Sequence, residues 1–306
     1  MNALRIIKDY ALLWAMLLGA LFYPWLHHLA PLTTYTLFLM LLLSYTKVSP
    51  KEMKLNRTHA LLFALQWFLG IIAFLVIEPF DVTIATGVAL IILTPTATAA
   101  SVITGMLGGS IAFVTSYMIL SNVAIALIGP VLIGLLHPEM AANYWSTVLT
   151  ILGQVSALLV LPLIVAWALR YFAPKWHDRL ANFSFLTLWI WAVNIMILIA
   201  TAIHTYLTND HLTPRYTLLL SLITLVTTLA LYYVGGQASR LTGERRVNGR
   251  QTLGQKNTVF AIWLAILFLD AKVAFIPTLY IVMQNVINSL ELAAYQKSLR
   301  KKNGTN

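Results

Sequence analysis

The sequence predicts an all-α polytopic membrane protein of ten transmembrane helices, built as two inverted repeats of five, with the fourth and ninth helices discontinuous. Three observations carry that expectation. The 306 residues are 59% apolar and only 10% charged, with a mean hydropathy of +0.81, too little charge to cover a soluble globule of this length. Apolar runs of about 20 residues, the length a bilayer-spanning helix needs, recur along the whole chain. Lysine and arginine collect in alternate connections between those runs, as the positive-inside rule requires.

The runs fall at about 10–29, 32–47, 58–78, 82–107, 110–136, 145–171, 183–207, 215–239, 250–270 and 273–294. The first follows Arg5 and Lys8 and has the outline of a secretory signal, but no Ala-x-Ala cleavage site comes after it, so a retained helix is expected. The second is short, and the ninth begins in polar sequence. With the N-terminus inside, the inner connections hold Arg5 and Lys8; Lys47, Lys51, Lys54 and Arg57; Arg170, Lys175 and Arg179; Arg240, Arg245, Arg246 and Arg250; and Lys297, Arg300, Lys301 and Lys302. Only Arg215 and Lys272 fall outside, with Lys256 in the membrane, while the outer connections carry Glu78, Asp81, Glu139, Asp210 and Asp270. An odd number of helices would scatter this pattern. The expected product is a multi-pass protein of the plasma membrane, in a bacterium the inner membrane, with both termini cytoplasmic. Tyr23, Trp25, Tyr144 and Trp145 near outer boundaries, and Trp167, Tyr171 and Trp176 near the inner one, agree with the preference of such rings for the headgroup zone.

A net charge of +10 could suggest a nucleic-acid partner, but the basic residues lie in short clusters between apolar runs rather than on one folded face. The expected surroundings are the lipid bilayer, with no nucleic acid. The absence of cysteine excludes disulfides and cysteine-ligated metals.

Two halves of five helices, 1–140 and 141–306, enter the membrane from opposite sides, the geometry of an inverted repeat within one transporter domain, 1–306. The fourth run of each half is interrupted. In the first, Ile92-Leu93-Thr94-Pro95-Thr96-Ala97-Thr98-Ala99-Ala100-Ser101 contains Pro95, which removes a backbone donor and obstructs the preceding turn. In the second, Leu253-Gly254-Gln255-Lys256-Asn257-Thr258 contains Gly254, which weakens a helix. Unwound backbone at membrane depth is tolerated only where protein or a wet cavity satisfies it, so paired breaks at corresponding positions predict a substrate or ion site.

Lys256 is the one ionisable side chain placed at that depth, apart from Glu291 near the inner end of the tenth run. A charge in hydrocarbon costs on the order of a few kcal/mol unless it faces protein or water, which marks Lys256 as a functional residue. Among the amides within apolar runs are Gln66, Asn122, Asn194, Gln284 and Asn285; a lone amide more often bonds a neighbouring helix than a ligand. Gln66, Gln284 and Asn285 stand apart because their helices would flank the breaks.

At these residues the chain resembles the bile acid:sodium symporter family, carriers of ten helices in which the fourth and ninth cross while unwound. The family's fourth-helix signature, a proline and small residues followed by Thr-Ala-Ser-Asn-Val, is met by Pro95-Thr96-Ala97-Thr98-Ala99-Ala100-Ser101-Val102. Its ninth-helix signature, Glu-Val-Gly-Met-Gln-Asn-Ser, is met by Thr252-Leu253-Gly254-Gln255-Lys256-Asn257-Thr258. A third-helix Gln fits Gln66, and a tenth-helix His-Asn pair fits Gln284-Asn285. The resemblance implies a panel of helices at about 10–47 and 145–207, a core at about 58–136 and 215–294, and rocking of one against the other.

The departures concern the cation. In the family two sodium ions are held by the Ser-Asn of helix four, hydroxyls of helix five, and the Glu and Gln of helix nine. Here these positions are Ala100-Ser101, Val114 and Met118, Thr252 and Lys256, so most side-chain oxygens are missing. Sodium remains open as a coupling ion, and no other cofactor is expected. The resemblance implies that Lys256 stands in for one cation, its stem reaching Gln66 and the freed carbonyls, with Thr98 and Ser101 close by and Thr252, Gln255 and Thr258 completing the surrounding shell. Transport is then sodium-independent, either facilitated or linked to protonation of Lys256; the usual sodium-coupled symport is the alternative. Thr98, Ser101, Asn257, Gln284 and Asn285 would meet a small organic anion, the family's usual cargo, and a monomer is expected.

Other classes fit less well. A cation/proton antiporter of the same plan needs a membrane aspartate, which is missing. Neither His-Glu-x-x-His nor Gly-x-Ser-x-Gly occurs, so no enzyme is expected. A non-transporting receptor or assembly subunit would leave the paired breaks without a task.

Overall fold

A computed structural model describes residues 11–47, 49, 51, 54–136, 144–183, 186–208, 213–270 and 272–302. Arg5, Lys8, Glu139, Asp210, His137 and His211 lie outside the described residues. The described chain is all helical. In order the helices are α1 (Ala11–Leu21), α2 (Leu32–Tyr45), α3 (Arg57–Ile77), α4 (Val82–Leu93), α5 (Thr98–Met106), α6 (Ile111–Leu136) and α7 (Tyr144–Leu159). There follow α8 (Leu161–Phe172), α9 (Pro174–Asn182), α10 (Leu186–Thr208), α11 (Pro214–Leu241), α12 (Arg246–Gly254), α13 (Thr258–Phe268) and α14 (Phe275–Lys302). Short turns of helix at Tyr23–Leu26 and His27–Leu29 join α1 to α2.

Among the described residues four helices are long and apolar enough to cross a membrane: Arg57–Ile77, Ile111–Gly129, Trp189–Thr208 and Pro214–Leu241. The count rises to six if each bent pair, Tyr23–Leu29 with Leu32–Tyr45 at 65° and Leu152–Leu159 with Leu161–Phe172 at 41°, is one span. Pro31 and Pro162 stand at these bends, where a missing amide and the ring's bulk interrupt the ladder. The apolar helices α4 and α13 are each too short alone, at 12 and 11 residues.

The chain divides into two compact units. Unit 1 comprises Met1–Met53, Ile119–Thr213 and Val259–Asp270. Within it α10 lies against α1 so closely that a Cβ on Gly19 would come within 2.4 Å of the Met196 carbonyl oxygen. The Thr36 hydroxyl donates to Asn194 Oδ1 at 2.8 Å, and Asn122 donates to the Tyr45 hydroxyl at 2.9 Å. Both amides thus join helices of this unit, as lone amides in apolar runs generally do.

Unit 2 comprises Lys54–Met118, Pro214–Thr258 and Ala271–Asn306. Here α3 begins in a capping box, with Asn56 accepting from the His59 amide and His59 Nδ1 accepting from the Asn56 amide. Asp81 caps α4 by accepting from the Ile84 amide at 2.9 Å. The helices α11 and α12 form a hairpin turned at Gly243, where φ is +82°, and their backbones nearly touch at Gly235 and Gly249. Leu62, Ala100, Phe113, Val114, Tyr117, Ala238 and Leu253 form its apolar core. The fourth and ninth apolar runs are both broken, and both breaks lie in unit 2.

Candidate functional site

The first break is written in local sequence. A residue before proline is driven out of the α region, and Thr94 accordingly has φ −52° and ψ 140°, ending α4 at Leu93. Ala97 is still extended, and α5 opens at Thr98. The second break has no proline. Gln255 is extended after Gly254, and Thr258 restarts the helix. Gly254 itself admits no side chain, since a Cβ there would meet the Tyr232 ring at 2.3 Å.

The two breaks satisfy each other. Thr96 and Lys256 pair as an isolated antiparallel bridge, in which the Ala97 amide donates to Gln255 O at 3.0 Å and the Asn257 amide donates to Pro95 O at 2.8 Å. The Thr96 hydroxyl adds a bond to Thr252 O at 2.6 Å. Buried backbone groups that a helix would have paired are thus paired across the bridge.

Of the carbonyls freed at the end of α4, Ile92 O, Leu93 O and Thr94 O collect the polar side chains of the site. Lys256 Nζ donates to Ile92 O at 2.8 Å and to Thr94 O at 3.2 Å. Gln66 Nε2, from α3, donates to Leu93 O at 2.8 Å and to Thr94 O at 3.2 Å. A helix C-terminus carries the negative end of the helix dipole, so an ammonium there gains from charge as well as from hydrogen bonding. Lys256 is 0% exposed, and among the described residues its Nζ meets carbonyl dipoles rather than a carboxylate.

Neighbouring side chains hold these two in place. The Tyr117 hydroxyl donates to Gln66 Oε1 at 2.8 Å, orienting the amide so that its nitrogen faces the carbonyls. Gln284 Oε1 accepts from the Lys256 amide at 3.0 Å, and the Tyr280 hydroxyl donates to Gly254 O at 2.7 Å. From Gln255 a polar row runs away from the bridge: Gln255 Nε2 donates to Gln251 Oε1 at 2.8 Å, and Gln251 Nε2 donates to Glu291 Oε2 at 2.8 Å. Glu291 Oε1 accepts from Nε and Nη2 of Arg250.

Of the residues singled out from sequence, Gln66, Pro95, Gly254, Gln255, Lys256, Asn257 and Gln284 meet at the paired breaks. Thr252 contributes its carbonyl, while its hydroxyl bonds back to Asn248 O at 2.6 Å. Thr258 opens α13, and its amide donates to Lys256 O at 2.8 Å. Thr98 is buried at the start of α5, and Ser101 donates only to Thr98 O at 3.1 Å. Asn285 Nδ2 turns back to Ile281 O at 2.7 Å, leaving its buried Oδ1 without a hydrogen-bond partner among the described residues. Sequence reasoning passed over Thr96, Tyr117 and Tyr280, whose hydroxyls carry three of the bonds that hold the breaks together. No protein-family model matches this chain, and no curated protein matches it.

Chemically the arrangement is a buried cation seated on helix-end carbonyls. Both nitrogens facing Ile92 O, Leu93 O and Thr94 O are hydrogen-bond donors, so these oxygens already have their positive partners. A bare metal ion needs converging oxygens, and at this position the residues present do not fit one.

Proposed function

We propose that this chain is a secondary carrier of small organic anions that works by alternating access and needs no sodium. One observation carries the proposal: the Lys256 ammonium lies on the Ile92 and Thr94 carbonyls, freed by one broken helix, while its own backbone belongs to the other. In the bile acid:sodium symporter family that the sequence resembles, a bound cation serves paired breaks of this kind. Here the lysine brings the charge on a tether, and the resident donors leave that position unsuited to sodium.

The anionic cargo follows from the charge. Lys256 finds carbonyls rather than a carboxylate among the described residues, so the site carries a net positive charge with dipoles but no counter-ion around it. In this proposal an anion that reaches the site is attracted, and a cation repelled. In this proposal the chain is a single domain of ten spans in two inverted repeats, with both termini in the cytoplasm, since the short pairs α4 with α5 and α12 with α13 each count as one interrupted span.

The test is uptake of radiolabelled carboxylates, including cholate and pantoate, into proteoliposomes at fixed pH and membrane potential. Uptake that is unchanged when choline replaces sodium, and that is lost in Lys256→Met, is the expected result. Uptake that collapses in choline sinks the sodium-independent mechanism. Absence of carboxylate uptake in either salt sinks the anion carrier.

A further inference from the structure

Unit 1 ends its bent α7–α8 pair in an unusual way. At Ala173, φ −140° and ψ 63° turn the chain, and Pro174 opens the nine-residue helix α9, Pro-Lys-Trp-His-Asp-Arg-Leu-Ala-Asn. Proline suits a first helical position, where its missing amide would have had no partner. A helix this short does not hold itself together in water, so its stability must come from contacts.

One face supplies them. His177 is the buried residue of α9; its Nε2 accepts from Arg170 Nε at 3.2 Å, and the same guanidinium donates through Nη2 to Thr46 O at 2.8 Å. Thr46 caps α2, so α9 is fastened to the end of α2 through the Arg170 guanidinium.

The other face is exposed and aromatic. Tyr171 and Phe172, ending α8, are each 80% exposed, Trp176 is 62% exposed and Phe183 is 52% exposed. The Arg179 guanidinium lies 5.1 Å from the centre of the Trp176 ring. Four bare rings around one turn and one short helix form a large apolar area for water to cover. Rings with an apolar body, interleaved with basic heads, are instead at home in the headgroup layer of a bilayer, where one end is dry and the other wet.

Charge selects the lipid. Lys175 and Arg179 stand exposed on α9, and exposed Lys47 follows Thr46 directly, against a single acid, Asp178. Arg170 is already committed to Thr46 O and His177. We propose that α9 lies along the headgroup layer and that Lys47, Lys175 and Arg179 bind the headgroup of an anionic phospholipid, with Trp176 seated at the glycerol level beneath it. The cation–π pair then orients the guanidinium toward the phosphate while the indole covers the start of the acyl chain. This site shares no residue with the paired breaks and does not depend on the carrier proposal.

Native mass spectrometry of the full-length chain in detergent, with added phosphatidylglycerol or phosphatidylcholine, reads the preference directly. The wild-type chain should retain phosphatidylglycerol over phosphatidylcholine. Lys175→Gln with Arg179→Gln should weaken retention of phosphatidylglycerol by at least about tenfold, from roughly fivefold per basic group near a lipid surface, and leave phosphatidylcholine unchanged. Equal retention of the two lipids by the wild-type chain overturns the proposal, as does an unaltered preference in the double variant. Displacement by millimolar inorganic phosphate also overturns it, because the site would then read a free anion. Tryptophan quenching by brominated phosphatidylglycerol in vesicles gives a second readout that does not rely on the charge variants. Trp176→Phe should remove part of the quenching, and an unchanged signal would mean that α9 is not in the headgroup layer.

Discussion

Replacing Lys256 with glutamine removes the charge from the paired breaks and shortens the side chain. The wild-type ammonium makes two bonds to carbonyls, at 2.8 Å to Ile92 O and 3.2 Å to Thr94 O. In an apolar medium a hydrogen bond to a carbonyl is worth about 4–6 kcal/mol, so the gross loss of two is about 8–12 kcal/mol. Taking an ion out of an apolar interior returns several kcal/mol, which offsets most of that. The residue of the sum is the state of the carbonyls. Thr94 O keeps Gln66 Nε2, whereas Ile92 O, past which the helix is broken, loses its side-chain donor. One buried acceptor left unpaired costs about 1–3 kcal/mol, and that is the expected destabilisation.

Sodium then becomes diagnostic. In Lys256→Gln the freed carbonyls and the new amide oxygen offer a cation the place that the ammonium held. A ligand that binds only the folded chain stabilises it by about 1.4 kcal/mol at ten times its dissociation constant. Thermal unfolding of the purified chain in detergent, in sodium against choline, should therefore show a raised midpoint for Lys256→Gln in sodium and the same midpoint in both salts for the wild-type chain. Lys256→Met, which adds no oxygen, should respond little. A wild-type chain stabilised by sodium as strongly as Lys256→Gln would refute the claim that the ammonium occupies the cation's position.

Two further substitutions probe the frame. Gly249→Ala would put a Cβ within 2.0 Å of Gly235 O, and because the obstruction is backbone, α11 and α12 must separate. The expected cost is about 1–3 kcal/mol or more, seen as a lower unfolding midpoint, and an unchanged midpoint would deny the close approach. Tyr117→Phe leaves Gln66 Oε1 without its 2.8 Å donor in a buried position. It should cost about 1–3 kcal/mol and shift the unfolding midpoint of Lys256→Gln by less than that of the wild-type chain, because both residues act on the same carbonyls. Strict additivity of the two changes would show that they do not share a network.

Hydropathy pointed to the long apolar helices, such as Arg57–Ile77 and Pro214–Leu241, because a run of some twenty apolar residues is a signal that no local detail can hide. It passed over α9, which has three charged residues in nine and is held through Arg170 to Thr46 rather than by an apolar period. At the site, Lys256, Gln66 and Pro95 were legible for a similar reason: a charge, an amide and a helix breaker are each anomalous within long apolar runs. Side-chain direction was not legible. In an unwound run no helical period sets where a side chain points, so Thr96 and Thr98 are equivalent on paper, although Thr96 alone reaches Thr252 O. Gln284 and Asn285 look like a pair, yet neighbours on a helix diverge by about 100°, and only Gln284 reaches the Lys256 backbone. Tyr117 reads as one more apolar ring until its hydroxyl is seen on Gln66.

The two breaks differ in how they are encoded, and the difference ties them together. Thr94-Pro95 would open a helix in any setting, because the preference acts between adjacent residues. The opening at 255–257 has only Gly254 in its favour locally, worth roughly 1 kcal/mol, far less than the several kcal/mol for leaving amides and carbonyls unpaired in an apolar interior. It persists because the Ala97 amide and the Pro95 carbonyl supply what the second helix gives up. The proline break thus creates the partners that make the second break affordable, and the second break carries the lysine back to the carbonyls that the proline freed. Pro95 and Lys256 therefore act as one unit: a change at residue 95 that closed the first helix would leave residues 255–257 either helical, with the ammonium drawn off α4, or unpaired and unstable.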